Sequence, residues 1–133
     1  MAIHDEEFLK RAAAARERVP QLPAEAVAEQ AAGDVHFIDV REPEELASGS
    51  LPGALNIPLG SLAQRITAAL PDPATPIVCF CAGGNRGSLA AAELLDLGYT
   101  NVSSIAGGLR AVEALQASNL PEAGATPGDG ADP

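Results

Sequence analysis

Tryptophan is absent from this chain of 133 residues, tyrosine occurs once, and aromatic residues make up only 3%. A core with so few rings has to be filled by Leu, Val, Ile and Ala, which suits helices packed on a sheet. Basic residues are also scarce. Eight Lys and Arg against eighteen Asp and Glu leave a net charge of −10. Phosphate backbones are gripped by clustered Lys and Arg, and the eight here are scattered, which argues against a nucleic-acid partner. The charge reads most simply as solubility, and any charged protein partner would be basic. No stretch approaches the roughly eighteen apolar residues that span a bilayer, and the N-terminus has no apolar run of signal-peptide length. A cytoplasmic protein without a membrane partner is expected. Cysteine occurs twice, as Cys79 and Cys81, two positions apart in a run where strand geometry is poor for a disulfide. A reducing compartment and a free thiol fit better. His4 and His36 are far apart and have no companion at ligand spacing, so no metal site or cofactor is expected, and His36 reads as an ordinary, partly buried strand residue.

What is present has the length of one domain, enough to bury a core without cross-links. Residues 5–19 carry Phe8, Ala12, Ala15 and Val19 on one helical face, with acids at the start, Arg16 and Arg18 near the end, and Pro20 as a stop. A second helix is predicted over 24–32. Residues 35–40 read as a strand, taken as the central one, followed by a short helix opened by Pro43 and a brief strand over 54–57. A helix over 60–70 and a Pro-rich loop precede the apolar run Ile77-Val78-Cys79-Phe80, whose length and β-branched start predict a buried parallel strand. Ser88, Ala91, Leu94 and Leu95 then share a helical face that ends at Gly98. Residues 101–105 form the last predicted strand, and Gly107-Gly108 open a final helix through about residue 117. Residues 121–133, rich in Pro, Gly, Ala and Asp, are expected to be a disordered tail. Alternating strands and helices predict an α/β domain with a largely parallel sheet covered on both faces, and such folds place their sites beyond the carboxyl ends of the strands.

Cys81 stands at such an end. A thiol attacks only as its thiolate, and free cysteine, with a pKa of about 8.5, is mostly protonated at neutral pH. In Cys81-Ala82-Gly83-Gly84-Asn85-Arg86 the next helix begins around Arg86, so its unpaired amides and positive dipole end would face the sulfur and favour the anion. Two adjacent glycines let successive N–H groups converge into an anion-binding nest. Arg86 adds a permanent charge suited to an anionic donor. Cys79, inside the apolar run with no glycine loop of its own, reads as core packing. Glu42, Glu44 and Glu45 read as a solvated helix start that complements the dipole.

Four motifs in order carry a resemblance: Ile38-Asp39-Val40-Arg41-Glu42, Leu51-Pro52-Gly53-Ala54-Leu55-Asn56-Ile57-Pro58, the loop Cys81 to Arg86, and Gly107-Gly108-Leu109. Together they resemble the rhodanese family of single-domain sulfurtransferases, over residues 21–120. Residues 1–20 are then an N-terminal helical extension. The resemblance implies a doubly wound domain with a five-stranded, mainly parallel sheet and helices on both faces. It also implies covalent two-step chemistry. Cys81 would accept a sulfane sulfur as a persulfide from thiosulfate or a persulfide donor and pass it to cyanide or a thiol. Ala82, Gly83, Gly84, Asn85, Arg86 and Gly87 would bind the substrate or the persulfide. Asp39 and Arg41 match a motif that is mostly structural in the family. The chain departs from the commoner pattern at Ser50, where His is frequent, at Gly87, where Ser is frequent, and at Val112, where Trp is frequent.

Three other readings remain open. One is a persulfide relay serving a protein sulfur acceptor. A second is a phosphatase or arsenate reductase, disfavoured because only four residues separate Cys81 from Arg86 where tyrosine-phosphatase-type loops have five. The third is a non-catalytic interaction domain.

Overall fold

The computed structural model describes residues 5–119. His4 and the tail expected over 121–133 lie outside that span. Helix α1 (Glu6–Arg18) starts where the Asp5 carboxylate accepts the Phe8 amide at 2.7 Å, with Glu6 and Glu7 in its first turn and Arg16 and Arg18 in its last. These charges complement the helix dipole at both ends. The chain continues through β1 (Gln21–Leu22), α2 (Val27–Ala31), β2 (His36–Asp39), a 3₁₀ helix (Pro43–Ser48) and β3 (Leu55–Asn56). It ends with α3 (Leu62–Ala69), β4 (Ile77–Phe80), α4 (Asn85–Asp96), β5 (Val102–Ile105) and α5 (Gly108–Asn119).

The five strands form one parallel sheet in the order β1-β5-β4-β2-β3. Side chains of β4 alternate between two apolar layers, as a period of two requires. Ile77, Cys79 and Cys81 join Ile38, Val102 and residues of α1, α3 and α4 on one face. Val78 and Phe80 join Phe37, Ile105 and residues of α2 and α5 on the other. Helices therefore cover both faces of the sheet, the α/β architecture expected of the alternating pattern.

Several elements differ from the sequence reading. The middle strand is β4, with β2 one place towards the edge. Nothing local marks that order, because it follows from which crossovers pack. The two residues of β1 are too short for a periodic signal, and they pair with β5 at Gln21–Ser104 and Leu22–Ile105. His36 is exposed, since it opens β2 outside the covered part of the sheet. The apolar face read for the first helical segment does agree: Ala12, Ala15 and Val19 are buried, the last two in the layer that contains Cys81. Val112 is buried beside an apolar groove of about 370 Å³ that is also lined by Val27, Phe37, Leu51 and Leu115.

Candidate active site

β4 ends at Phe80, so Cys81 is the first residue past the carboxyl edge of the middle strand. Its neighbour on the sheet, β2, ends at the same level, with Asp39 opposite Phe80. Two further segments close around this point: the start of α4 and the start of α5.

The N-cap residue of α4, Gly84, has no side chain with which to cap the helix. The sulfur of Cys81 takes that place, accepting the Gly84 amide at 3.1 Å and the Gly87 amide at 3.3 Å. These are two of the donors that the first turn of a helix leaves without intrahelical partners. They converge on a sulfur that is 2% exposed. The arrangement can hold negative charge on Sγ, because buried donors fixed by a helix need no reorganisation when the charge forms.

The two loop glycines differ. Gly84 has φ +110°, which an L side chain rarely adopts, and a Cβ there would meet the Gly107 amide at 3.4 Å. Gly83 is exposed and has no positive φ. Gly87 serves a third purpose, close packing of α4 on β4. A Cβ at this position would stand 3.0 Å from Phe80 Cα, 3.2 Å from Ser104 Oγ and 3.3 Å from the Cys81 nitrogen. Serine, frequent at this position in the resembled family, would need α4 or its neighbours on β4 and β5 to shift slightly.

The start of α5 holds the loop from the other side. The Leu109 amide donates to the Cys81 carbonyl at 2.8 Å and the Arg110 amide to the Ala82 carbonyl at 3.0 Å. Gly108 makes this approach possible. With φ +66°, its absent Cβ would lie 2.6 Å from both the Cys81 and Ala82 carbonyl oxygens. Gly108→Ala is therefore expected to cost roughly 2–4 kcal/mol from left-handed strain and overpacking. Hydrogen exchange should show the Leu109 and Arg110 amides losing protection before the rest of α5. Unchanged protection would mean that these contacts do not hold the loop.

At the end of β2 lies a buried ion pair. Arg41 donates through Nη2 to the Asp39 carboxylate at 2.8 Å and through Nε at 3.0 Å, and its Nη2 also reaches the Gly49 carbonyl at 2.7 Å. Both side chains are at most 5% exposed. Ser50 Oγ donates to Asp39 at 2.7 Å, so the serine that stands where His is frequent caps the carboxylate. Burial pushes the Asp39 carboxyl up, but the hydrogen bonds from Arg41 and Ser50 and from the Arg41 amide outweigh it and leave the pKa lowered. The Asn56 side chain donates to the Asp39 and Arg41 carbonyls at 2.8 and 3.0 Å, tying β3 to the same place.

Arg86 lines the cup, yet its fork is turned to Glu45, with Nη1 to Oε1 at 2.8 Å and Nη2 to Oε2 at 3.0 Å. Glu45, read from sequence as a solvated helix start, is half-buried and links the 3₁₀ helix to α4. It also accepts the Glu42 amide at 2.8 Å. The available signal was the spacing Glu42-Pro43-Glu44-Glu45, a capping-box pattern. The bond from Arg86 is the main reason the Glu45 carboxyl is pulled down to about 2. A depressed carboxyl pKa stabilises the fold fully above the ordinary 4.5, and the contribution is lost as pH falls through about 2. The clamp thus stays ionised at neutral and mildly acidic pH. Carbon-13 titration of the Glu45 carboxyl should give a midpoint near 2 in the wild type and a return towards 4.5 in Arg86→Gln. An ordinary midpoint in the wild type would show that the pair does not persist in solution.

Two more residues escaped the sequence reading. Arg16 on α1 donates to the Asn85 side chain at 2.7 Å, so the first helix reaches the loop. Arg110, in α5, lines the cup together with Cys81, Ala82, Gly83, Asn85 and Arg86, around a cavity of about 140 Å³. Neither carried a motif. Cys79 is fully buried in the core, and burial above all, with the neighbouring Cys81 adding to it, pushes its thiol far up. That is the behaviour of a packing residue.

A parallel α/β domain whose glycine-built loop wraps a cysteine at the carboxyl edge of the sheet is the arrangement of the rhodanese-like domain, and the chain belongs to this family, whose model matches residues 22–115. The chain is 40% identical over 75 residues to thiosulfate sulfurtransferase PspE of Escherichia coli (strain K12), covering 56% of this chain and 71% of that protein. It is 40% identical over 86 residues to thiosulfate sulfurtransferase GlpE of Pseudomonas entomophila (strain L48), covering 65% and 76%. Among solved structures, a protein of unknown function from Rhodopseudomonas palustris, described as a possible tyrosine phosphatase, matches with a TM-score of 0.71 at 27% identity, over 87% of this chain and 95% of that one. Among the described residues no helix is long and apolar enough to cross a membrane.

Proposed function

We propose that the protein is a sulfurtransferase in which Cys81 is the nucleophile and residues Ala82 to Gly87 form the cup for its persulfide. Relatives named thiosulfate sulfurtransferase support sulfurtransferase activity in general. The observation that carries the specific reading is the convergence of the Gly84 and Gly87 amides on Cys81 Sγ. The thiolate attacks the sulfane sulfur of thiosulfate; a new S–S bond forms, the old one breaks, and sulfite leaves with the electron pair. Cyanide or a thiolate then attacks the outer sulfur, and the Cys81 thiolate is released. Two free thiols suit the reducing, cytoplasmic compartment expected from the sequence.

The size of the cup supports a single transferred sulfur over a phosphoryl group. A cavity of about 140 Å³ is closed by a loop with only four residues between Cys81 and Arg86, and that arginine is held by Glu45. Incubation with thiosulfate and cyanide should release thiocyanate, and mass spectrometry after thiosulfate alone should find one extra sulfur on Cys81. A protein that gains the sulfur but discharges it slowly to cyanide would be a relay for a protein acceptor. Turnover of an aryl phosphate through Cys81 without sulfur transfer would overturn the proposal.

A further inference from the structure

The cup has two arginines on its wall, and they differ in what they are free to do. Arg86 is 16% exposed and its guanidinium lies in a two-pronged bond with Glu45, so the pair brings no net charge to an incoming ligand. Arg110 is exposed, and its side chain makes no ion pair or hydrogen bond to the described residues. Its backbone is nevertheless fixed to the loop, through the bond from its amide to Ala82. The guanidinium lies across Gly83, with Nη1 3.0 Å from where a Cβ on that glycine would be. Arg110 lines the cup and is exposed, so its charge stands at the rim, and it also borders a depression of about 290 Å³ lined by Arg41, Glu45, Ser48, Ala82, Leu109 and Glu113.

We propose that Arg110 binds the anionic end of the sulfur donor at the mouth of the Cys81 cup, and that Arg86 is a positioning residue that holds the loop through Glu45. The assignment rests on the sulfur-transfer reading for its substrate, an anion such as thiosulfate whose inner sulfur faces Cys81 while its sulfonate oxygens face outward. A charge at the mouth suits those oxygens, whereas the two amides deep in the cup suit the transferred sulfur. Gly83 fits the same picture. It has no positive φ to require glycine, but any side chain would press on the guanidinium.

Thiosulfate and departing sulfite both carry the charge that Arg110 would hold, so the interaction is made in the ground state and the transition state alike. Its loss falls on KM and leaves kcat nearly unchanged. Arg110→Gln is expected to raise KM for thiosulfate roughly 10- to 100-fold, the range for a lost charge-assisted bond, with kcat within about twofold. Arg110→Lys should recover most of the loss. Gly83→Ala should raise KM in the same direction by displacing the guanidinium. Because Arg110 is exposed, its substitution should leave the melting temperature unchanged, which separates binding from folding.

An alkylation assay reads the charge without relying on sulfur transfer. The Cys81 thiolate attacks the methylene carbon of iodoacetate or iodoacetamide and iodide leaves. The rate ratio of the anionic to the neutral reagent reports the charge at the mouth, and it should fall several-fold in Arg110→Gln. If the wild type makes no thiocyanate, the donor reading fails, and the ratio alone then decides whether Arg110 is the anion site. An unchanged KM in an active enzyme, or an unchanged ratio in either case, would overturn the role of Arg110.

Discussion

Cys81→Ser is expected to abolish thiocyanate formation from thiosulfate and cyanide, a loss on the order of 10³-fold or more, while the protein stays folded. The hydroxyl is nearly isosteric with the thiol and can accept the same Gly84 and Gly87 amides, so the cap on α4 survives. What disappears is the nucleophile. A serine hydroxyl ionises far above neutral pH, and two amide donors and a helix end do not close that gap. The variant should also gain no sulfur by mass after exposure to thiosulfate, and its circular dichroism should match the wild type. Cys79 cannot substitute, since it is fully buried and its thiol is held protonated. Retained turnover in Cys81→Ser would remove Cys81 from the mechanism.

The largest effect on stability is expected from Asp39→Ala. Removing the carboxylate leaves the Arg41 guanidinium buried against two carbonyls, those of Glu45 and Gly49, with its anion gone. Breaking one side of a buried pair typically costs about 3–5 kcal/mol. Small domains have only about 5–15 kcal/mol in total. Thermal unfolding should fall by roughly 10–20 °C. The pH dependence gives a second signature. Because the folded-state pKa of Asp39 lies below the ordinary 3.8, its contribution is complete above that value and fades as pH falls through the lowered one. The wild type should therefore lose part of its stability in strong acid, and Asp39→Ala should lack that part. A variant as stable as the wild type would show that the Glu45 and Gly49 carbonyls suffice to hold Arg41.

Some of these residues were legible without a structure and others were not, for a definable reason. Cys81 and its two glycines are neighbours in the chain, and the chemistry of a thiol before a helix start can be read from seven consecutive residues. The strand Ile77–Phe80 was legible because complete burial on both faces writes itself as an unbroken apolar run. By contrast, Glu45 and Arg86 are 41 positions apart, and Arg16 and Asn85 are 69 apart. No local pattern links either pair. Glu45 looked like any acid in a first turn until the fold placed an arginine fork against it. β1 escaped notice because two residues carry no period, and its pairing exists only once β5 is beside it.

The amino-acid sequence by itself determined the layered α/β class, the place of Cys81 beyond a strand end, and the length of the loop, four residues between Cys81 and Arg86. Periodicity, turn chemistry and loop length act over a few residues, and all three are written along the chain. Only the tertiary structure decided which strand lies at the centre, why a side chain at Gly108 would run into two carbonyl oxygens, and which of the two arginines is paired with a carboxylate. Arg86 and Arg110 have equal charge and equal reach. What separates them is the Glu45 carboxylate, which the fold brings from the 3₁₀ helix to Arg86 and not to Arg110.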